Sequence, residues 1–313
     1  MIKTENLCMR YGPVQALNDV NFEIAQHEVI GLLGPNGAGK STTLKILTTY
    51  IYPTQGTAYV AGYDVRNNPI PIRKLIGYLP EQLPLYMDME VSEYLTFVGR
   101  SRGLYGATLR KRLEWVKEKC GIGPMFHKII RELSKGYRQR TALAQALLHD
   151  PEIVILDEPT SGLDPHQIIE IRALIHELAQ EKTMIFSTHI LQEVQAVTNR
   201  IIVLNRGKIV ANGTFDELQM QLGYQKYELI LPTNLPENDV LDAVRLFPNV
   251  QKADVENRKN GEITYLVQGP AKEELRTPII QMLKQKQWDF LEIKKKPFTL
   301  EEIFLQLTEP AKE

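Results

Sequence analysis

Long hydrophobic runs are the first feature that this sequence lacks. None of its segments approaches the roughly 18 consecutive apolar residues that favour a membrane-spanning helix. The opening residues, Met1–Glu5, also lack the pattern of a signal peptide. We therefore expect a globular chain, and any membrane role is expected to come through a partner.

Cysteine and net charge are scarce as well. The chain has only Cys8 and Cys120, far apart and without metal-ligand spacing, so a reducing cytosol fits better than a disulfide scaffold. The 37 Lys and Arg residues balance 38 Asp and Glu residues, which gives no support for nucleic-acid binding. Internal repeats, heptads and low-complexity linkers are missing too. The length of 313 residues and the 43% hydrophobic content predict a large domain with a smaller one, or two domains.

The most informative stretch that is present runs from Val29 to Leu47. Its apolar start, Val29–Leu33, predicts a buried parallel strand, and its end has helical spacing. Between them lies the G-x-x-x-x-G-K-S/T pattern of a phosphate-binding loop, in which glycines let backbone N–H groups wrap an anion. Lys40 adds a cation for the β- and γ-phosphates, and the Ser41 hydroxyl suits Mg²⁺. The pattern predicts nucleotide binding by Gly34, Pro35, Asn36, Gly37, Ala38, Gly39, Lys40 and Ser41.

Two later strands end in residues that suit the same chemistry. The apolar run Glu152–Leu156 leads into Asp157 and Glu158. Asp157 can hold the water shell of Mg²⁺ beside a phosphate loop, and Glu158 can take a proton from water. The strand Thr183–Ser187 is followed by His189. An isolated histidine is usually structural, but this one would lie where open α/β sheets bind their ligands.

The other segments frame this α/β core. Alternating patterns predict strands over Ile2–Tyr11 and Val20–Ile24. After Gly62 we expect a polar loop, then a strand over Leu75–Leu79, and the pattern from Ser92 to Leu148 predicts a helical insertion. Tyr11 could stack on an adenine ring or cap the core as a turn aromatic, and without family context the second reading is preferred.

The pattern changes beyond about residue 222. Strands and helices alternate there as βαββαβ, the ferredoxin-like arrangement, and an amphipathic helix over Leu300–Leu307 closes the chain. The apolar face of that helix, formed by Ile303, Phe304 and Leu307, could cover its own sheet or dock on another surface. The predicted elements are strands Tyr227–Leu231, Gln251–Val255, Thr264–Val267 and Trp288–Ile293, and helices Asn238–Phe247 and Lys272–Lys284.

Taken together, the motifs resemble the ATP-binding subunits of ABC transporters over residues 1 to about 220. The resemblance rests on the ordered set Gly34–Thr42, Leu133–Arg140, Ile153–Glu158, Ser161–Asp164 and His189. The segments Ile76–Glu81 and Leu300–Leu305 resemble the exporter-type branch, which includes subunits for gliding motility, drug export and copper processing.

The resemblance implies a fold, a division of the chain and a set of partners. The fold would be the ABC type of phosphate-loop α/β core with an antiparallel β subdomain and a helical insertion at about 85–150, followed by a small α+β domain. Residues 1–222 would form the cassette and 223–313 a regulatory or dimerisation domain. The cofactors would be ATP and Mg²⁺, and the partners an integral membrane permease and a second cassette, which would make a homodimer. The chain would lie in the cytoplasm, on the inner face of the cell membrane, without a nucleic-acid partner.

The resemblance also implies roles for single residues. Tyr11 would stack on adenine, which reverses the reading made without family context. Glu158 would be the general base, and His189 would contact the γ-phosphate. The remaining implied roles are phosphate and Mg²⁺ binding by Lys40, Ser41 and Thr42, Mg²⁺ positioning by Asp157, completion of the opposing subunit's site by Ser134 and Gly136, and a link between the two sites by Asp164.

This sequence departs from the family pattern at two positions. The family's glutamine falls at Glu81, with Gln82 next, and either residue could face the metal. A carboxylate can still ligate Mg²⁺ but adds negative charge near the triphosphate. The signature motif has Tyr137 where glutamine is commoner, which removes an amide contact.

Three functions remain to be compared. The first is an ATPase that powers a separate permease, with export favoured by the branch resemblance. The second is an ABC ATPase acting on ribosomes or DNA, but such proteins resemble paired cassettes or a cassette split by a coiled coil, and this chain has neither feature. The third is a nucleotide-dependent regulatory module without a transport partner.

Overall fold

The computed structural model describes residues 1–188, 190, 194, 197–259 and 261–308. It separates the chain into two compact units, Met1–Thr214 and Phe215–Glu313. The separation falls earlier than the predicted boundary at residue 222, because the helix Phe215–Gln221 contacts the helix Leu300–Thr308. Within the described ranges, no helix has both the length and the apolar content needed to cross a membrane.

Strands and helices alternate along the first unit, as expected for an α/β fold. Its strands are β1 (Ile2–Tyr11), β2 (Val14–Ile24), β3 (Val29–Leu33), β4 (Gln55–Val60), β5 (Tyr63–Asp64), β6 (Ile76–Leu79), β7 (Ile153–Asp157), β8 (Thr183–Thr188), β9 (Arg200–Asn205) and β10 (Lys208–Gly213). Its helices are α1 (Lys40–Leu47), α2 (Pro69–Leu75), α3 (Val91–Ser101), α4 (Gly106–Lys119), α5 (Lys135–Leu147) and α6 (Pro165–Ala179).

The central sheet has the order β10-β9-β3-β8-β7-β6. All neighbouring strands run parallel except β9 and β10, which form an antiparallel hairpin. Every residue of β3, β7 and β8 is buried, as expected for parallel strands covered on both faces. Because the strands are parallel, the ends of β3, β7 and β8 meet at one edge, with Leu33 beside Thr188 and Asp157 beside Ser187.

An antiparallel sheet of order β2-β1-β4-β5 packs on the same core. Leu7 and Leu17 from this sheet cluster with Ile30 of β3 and Leu44 of α1. Strand β2 begins earlier than predicted, because residues 14–19 continue the hairpin with β1 directly after the turn at Gly12. This sheet supports the phosphate loop from one side and confirms the predicted antiparallel β subdomain.

Helices α3, α4 and α5 lie between β6 and β7 in the chain and form the predicted helical insertion. The expected polar loop after Gly62 instead contains the short helix α2. Pro69 lies in its first turn, where the fixed φ of proline favours a helix start. Leu75 ends this helix, so β6 begins one residue later than predicted.

The second unit has the predicted βαββαβ order, with a four-stranded antiparallel sheet of order β12-β13-β11-β14. Its last strand starts later than predicted, because Trp288 lies in the loop before the strand and packs partly buried against the core. The elements are α7 (Phe215–Gln221), β11 (Tyr224–Pro232), α8 (Glu237–Arg245), β12 (Lys252–Lys259), β13 (Glu262–Pro270), α9 (Arg276–Gln285), β14 (Glu292–Lys296) and α10 (Leu300–Thr308).

Helix α10 contacts the sheet of its own unit. Lys226 of β11 is 6% exposed, lies over the ring of Phe298 and donates a hydrogen bond to Glu302 of α10. Ile303 is buried, whereas Leu305 on the same helix is exposed. Of the predicted apolar face, the Leu307 side chain lies outside the described part. The ion pair at Lys226 favours the reading in which α10 covers its own sheet.

Candidate functional site

The phosphate loop connects β3 to α1 at the edge where the central strands end. Lys40 is 6% exposed, and its Nζ donates a hydrogen bond to the carbonyl of Gly34 at 2.7 Å. Gly39 has φ +110°, and a Cβ atom there would lie 2.8 Å from the carbonyl oxygen of Ala16. Only glycine fits that conformation without strain, so the loop depends on its glycine for its shape.

Two carboxylates face the loop from the end of β7. Asp157 and Glu158 are both buried, and Glu158 Oε1 lies 3.9 Å from Lys40 Nζ. Glu158 has φ +51°, a left-handed conformation that non-glycine residues rarely adopt. Burial lowers the pKa of Lys40, while Glu158, Asp157 and Glu81 act in the opposite direction. Three acidic residues therefore favour the charged form of the Lys40 side chain.

A cavity of about 630 Å³ opens beside the loop. Its volume lies within the range of small-molecule and cofactor sites, about 300–1,000 Å³. Tyr11 lies in its wall and is 45% exposed, which leaves the ring available for stacking. The cavity brings together predicted site residues from four separate parts of the chain. Its described lining is Tyr11, Val14, Gln15, Ala16, Asn36, Gly37, Ala38, Gly39, Lys40, Ser41, Thr42, Glu81, Glu158 and Ser161.

A second cavity of about 440 Å³ is also lined by Ser41, together with Asp157, Glu81 and Gln82. In the described part of the chain, Glu81 lines both cavities, whereas Gln82 lines the second cavity and not the first. The hydroxyl of Tyr78 is buried there without a hydrogen-bond partner in the described part of the chain. Burial raises the pKa of Tyr78 above its ordinary value, so its hydroxyl stays protonated.

The predicted signature residues lie at the start of α5, apart from the described lining of the phosphate-loop cavity. Ser134 caps this helix, and its Oγ accepts the N–H of Tyr137 at 3.4 Å. Gly136 packs closely on Gln167, because a Cβ atom at Gly136 would lie 2.3 Å from the Gln167 side chain. Asp164 caps α6 by accepting the Gln167 N–H at 2.9 Å. These contacts join the signature turn to the Asp164 turn within one chain.

One buried side chain links the signature helix to the acidic strand. Gln139 of α5 is 4% exposed, and its Nε2 donates a hydrogen bond to the carbonyl of Pro159 at 2.8 Å. Sequence reasoning missed Gln139, although a polar residue on the inner face of an amphipathic helix could have indicated a buried hydrogen bond.

Sequence reasoning also missed Ser187. This residue is fully buried in β8 and donates a hydrogen bond to Asp157. The only available signal was a polar residue at the end of an apolar strand. The predicted His189 follows the end of β8 and lies outside the described residues.

Comparison with known proteins decides the family. The profile of the ABC transporter family matches residues 17–161. The ABC transporter ATP-binding protein YxlF of Bacillus subtilis is 38% identical over 221 residues, which are 71% of this chain and 73% of that protein. The Nod factor export ATP-binding protein I of Ralstonia nicotianae is 36% identical over 222 residues, which are 70% of this chain and 68% of that one.

This chain belongs to the family of ABC transporter ATP-binding proteins. A solved ATP-binding subunit of an ABC transporter superposes on it with a TM-score of 0.66 at 29% identity, covering 71% of this chain and 93% of that chain. The cassette MJ0796, solved in a dimeric state with ADP and Pi, has a TM-score of 0.63 at 28% identity, covering 68% of this chain and 98% of that chain. As an ABC ATP-binding protein, the chain binds ATP and hydrolyses it.

One relative extends beyond the cassette. The linearmycin resistance ATP-binding protein LnrL of Bacillus subtilis is 29% identical over 309 residues, which are 98% of this chain and 98% of that protein. The match with LnrL therefore includes the second unit of this chain as well as the cassette.

Proposed function

We propose that this chain is the ATPase subunit that drives a separate integral membrane permease, and that the transport is export. The observation that carries the proposal is the 3.9 Å approach of Lys40 to Glu158 in a cavity bordered by the phosphate loop. This approach supports the proposal that Lys40 binds phosphate and that Glu158, beside it, is the base that hydrolysis needs. We also propose roles for single residues, for a second cassette and for the permease.

The ATP phosphates would lie on the loop, where the N–H groups and the start of α1 favour negative charge. Lys40 would leave its carbonyl partner and turn to the β- and γ-phosphates, with Ser41 and Thr42 adding hydroxyl contacts. Tyr11, which is half-exposed in the cavity wall, would stack on adenine. The other loop positions, Gly34 to Gly39, would contribute backbone rather than side-chain contacts.

The donor set beside the loop also fits Mg²⁺. Ser41 offers a hydroxyl, and Asp157 and Glu81 offer carboxylates that border the same space, which are the hard oxygen ligands that this ion prefers. Ser41, Asp157 and Glu81 would hold it, with Gln82 as the alternative to Glu81. When bound, Mg²⁺ would neutralise the charge that develops on the phosphates.

Glu158 is the proposed general base. Its carboxylate borders the cavity and would accept a proton from the water that attacks the γ-phosphate. His189 is proposed to contact the same phosphate, on the grounds of its sequence position directly after β8. The protein would promote hydrolysis by orienting the attacking water and by stabilising the charge on the phosphate, as in other phosphoryl transfers.

A second cassette would complete the site. Ser134 and Gly136 lie apart from the described lining of the phosphate cavity in their own chain, which supports the idea that they serve the opposing subunit. The similarity to MJ0796, described as dimeric, supports a head-to-tail pair closed by ATP and reopened by hydrolysis. Asp164 would communicate between the two sites through its contact with Gln167. We propose a homodimer, since one chain supplies both halves.

The permease would contact the groove between the Glu81 loop and the helical insertion. Tyr86 and Phe97 stay 55% and 49% exposed and lie with ring centroids 5.7 Å apart, and Tyr86 also meets Tyr94 edge-on. Such an exposed aromatic cluster favours a protein contact. The names of the Nod factor export and linearmycin resistance relatives support export. The chain would then work at the inner face of the cell membrane.

Purification of the tagged full-length chain from detergent-solubilised membranes tests the proposal. We expect an integral membrane protein to co-purify and to crosslink near Tyr86 and Phe97. Recovery with ribosomes or DNA would favour the alternative ABC ATPases, and recovery without any partner would favour a regulatory module. Crosslinks confined to residues beyond 225 would contradict the groove.

The second unit is proposed to regulate turnover or to support dimerisation. It carries none of the loop, acid or signature motifs, and its contribution is therefore not expected to be chemical. The full-length similarity to LnrL supports the view that this unit is an integral part of such proteins.

A further inference from the structure

We infer that Ser187 is a positioning residue for ATP hydrolysis, which holds Asp157 and the backbone of Glu158 in their working geometry. This inference rests on the proposed roles of Asp157 and Glu158. Ser187 is 0% exposed, near the end of β8. The parallel register places it directly beside Asp157 of β7.

A single hydroxyl group of Ser187 engages both acidic residues. Its Oγ donates a hydrogen bond to Asp157 Oδ1 and accepts one from the Glu158 N–H at 3.3 Å. A serine hydroxyl has one proton to donate and two lone pairs that accept, so this geometry uses its donor and one acceptor together. Strand β8 therefore contacts the last residue of β7 and the residue that follows it in the chain.

The contact fixes the carboxylate of Asp157. A buried carboxylate with one oxygen held by a hydroxyl loses the freedom to rotate away from its partner. Asp157 Oδ2, the oxygen that Ser187 does not engage, is then presented in a defined direction. Groups that orient metal-binding side chains in this way tune metal affinity as well as geometry.

The same contact supports an unfavourable backbone at Glu158. Its φ of +51° is unfavourable for a non-glycine residue and persists only where surrounding groups hold it. The Glu158 N–H donates to the Ser187 carbonyl at 3.0 Å as well as to the Ser187 hydroxyl. Ser187 therefore contributes both main-chain and side-chain acceptors to the turn that carries the proposed base.

A buried serine could instead serve stability alone, and the chain contains a control for that reading. Thr183 lies in the same strand, is 1% exposed, and its hydroxyl accepts the His27 N–H at 2.9 Å. It lies at the opposite end of β8, beside Ile153 rather than Asp157. Thr183→Val removes a buried hydroxyl without touching either acid.

The test compares full-length Ser187→Ala and Thr183→Val with the unmodified protein. Binding of a fluorescent ATP analogue is titrated with Mg²⁺ and, separately, measured in EDTA, and thermal unfolding is followed in parallel. For Ser187→Ala we expect the Mg²⁺ concentration at half-effect to rise by about 10- to 100-fold. Binding in EDTA should be unchanged. Thr183→Val should lower the unfolding midpoint and leave the Mg²⁺ titration unaltered.

Ser187→Cys provides a second variant of similar volume with a weaker donor, and it is used in the same way if the alanine variant does not fold. It should show a smaller shift of the Mg²⁺ titration in the same direction. An unaltered Mg²⁺ titration in a folded Ser187 variant would overturn the inference, whether or not the unfolding midpoint falls. If the unmodified protein itself gains no ATP affinity from Mg²⁺, the proposed function fails first, and the inference fails with it.

Discussion

Lys40 and Glu158 are close neighbours with different proposed tasks, which allows binding and chemistry to be separated at the residue scale. Glu158→Gln keeps the shape of the side chain but removes the base, and loss of a general base costs about 10²–10⁴ in rate. We expect intact ATP binding, slow phosphate release and accumulation of an ATP-bound dimer. Phosphate-release kinetics and light scattering measure these effects.

Glu152→Gln is the matched control for that variant, because Glu152 is exposed just before the opposite end of β7. It should turn over ATP as the unmodified protein does. A Glu158→Gln protein that hydrolyses ATP at the normal rate while coupled to the proposed permease would contradict the assignment.

Lys40→Ala should lose affinity for ATP. The Lys40 side chain is a cation in the lining of the cavity beside the loop, and its removal leaves the phosphates with the backbone N–H groups and the hydroxyls of Ser41 and Thr42. Lys45→Ala is the control, since Lys45 lies on the same helix and lines the second cavity instead. Equilibrium titration with a fluorescent nucleotide distinguishes the two. Equal ATP affinities for the two variants would argue against the phosphate role of Lys40.

At the scale of elements, Asp164 combines a structural role with a proposed communicating role. Its side chain caps α6, and replacing such a cap by alanine costs about 0.5–2 kcal/mol of stability. We expect Asp164→Ala to lower the thermal midpoint and Asp164→Asn to retain it, because asparagine is an equally good cap. Differential scanning calorimetry measures both variants.

The asparagine variant then isolates the second role of Asp164. If this residue links two sites, Asp164→Asn should reduce the cooperativity of ATP hydrolysis while the protein remains as stable as before. Normal cooperativity in the stable variant would leave helix capping as the whole function of Asp164.

At the scale of the whole molecule, the two compact units predict the result of a truncation. The solved ATP-binding subunit that superposes on 71% of this chain is covered over 93% of its own length, so a protein of about this size exists without a second unit. Truncation after Thr214 should therefore leave ATP binding intact and change dimerisation or turnover. Analytical ultracentrifugation and phosphate release, compared with the full chain, measure these properties. Unchanged values for both, together with normal transport, would remove the proposed role of the second unit.

Local patterns predicted the parts of the fold that depend on local physics. The phosphate loop was predictable because its glycines, Lys40 and Ser41 are adjacent in sequence. Strands β3, β7 and β8 were predictable because parallel strands that are buried on both faces leave uninterrupted apolar runs. Helix α2 was missed, since a short helix led by Pro69 has too few turns to show a period. The start of β14 was misplaced because Trp288 and Phe290 resemble strand residues but pack against the core from a loop.

The sequence by itself determined that this chain has a phosphate loop, an acidic strand end and a signature motif in ABC order, because each is a contiguous run with its own chemistry. Only the tertiary structure decided which residues meet. Three contacts join residues that are distant in sequence: the ion pair of Glu158 with Lys40, the hydrogen bond of Ser187 to Asp157, and the ion pair of Lys226 with Glu302. Strand order and packing bring such pairs together, and the apolar pattern of one segment does not show which other segment it will lie beside.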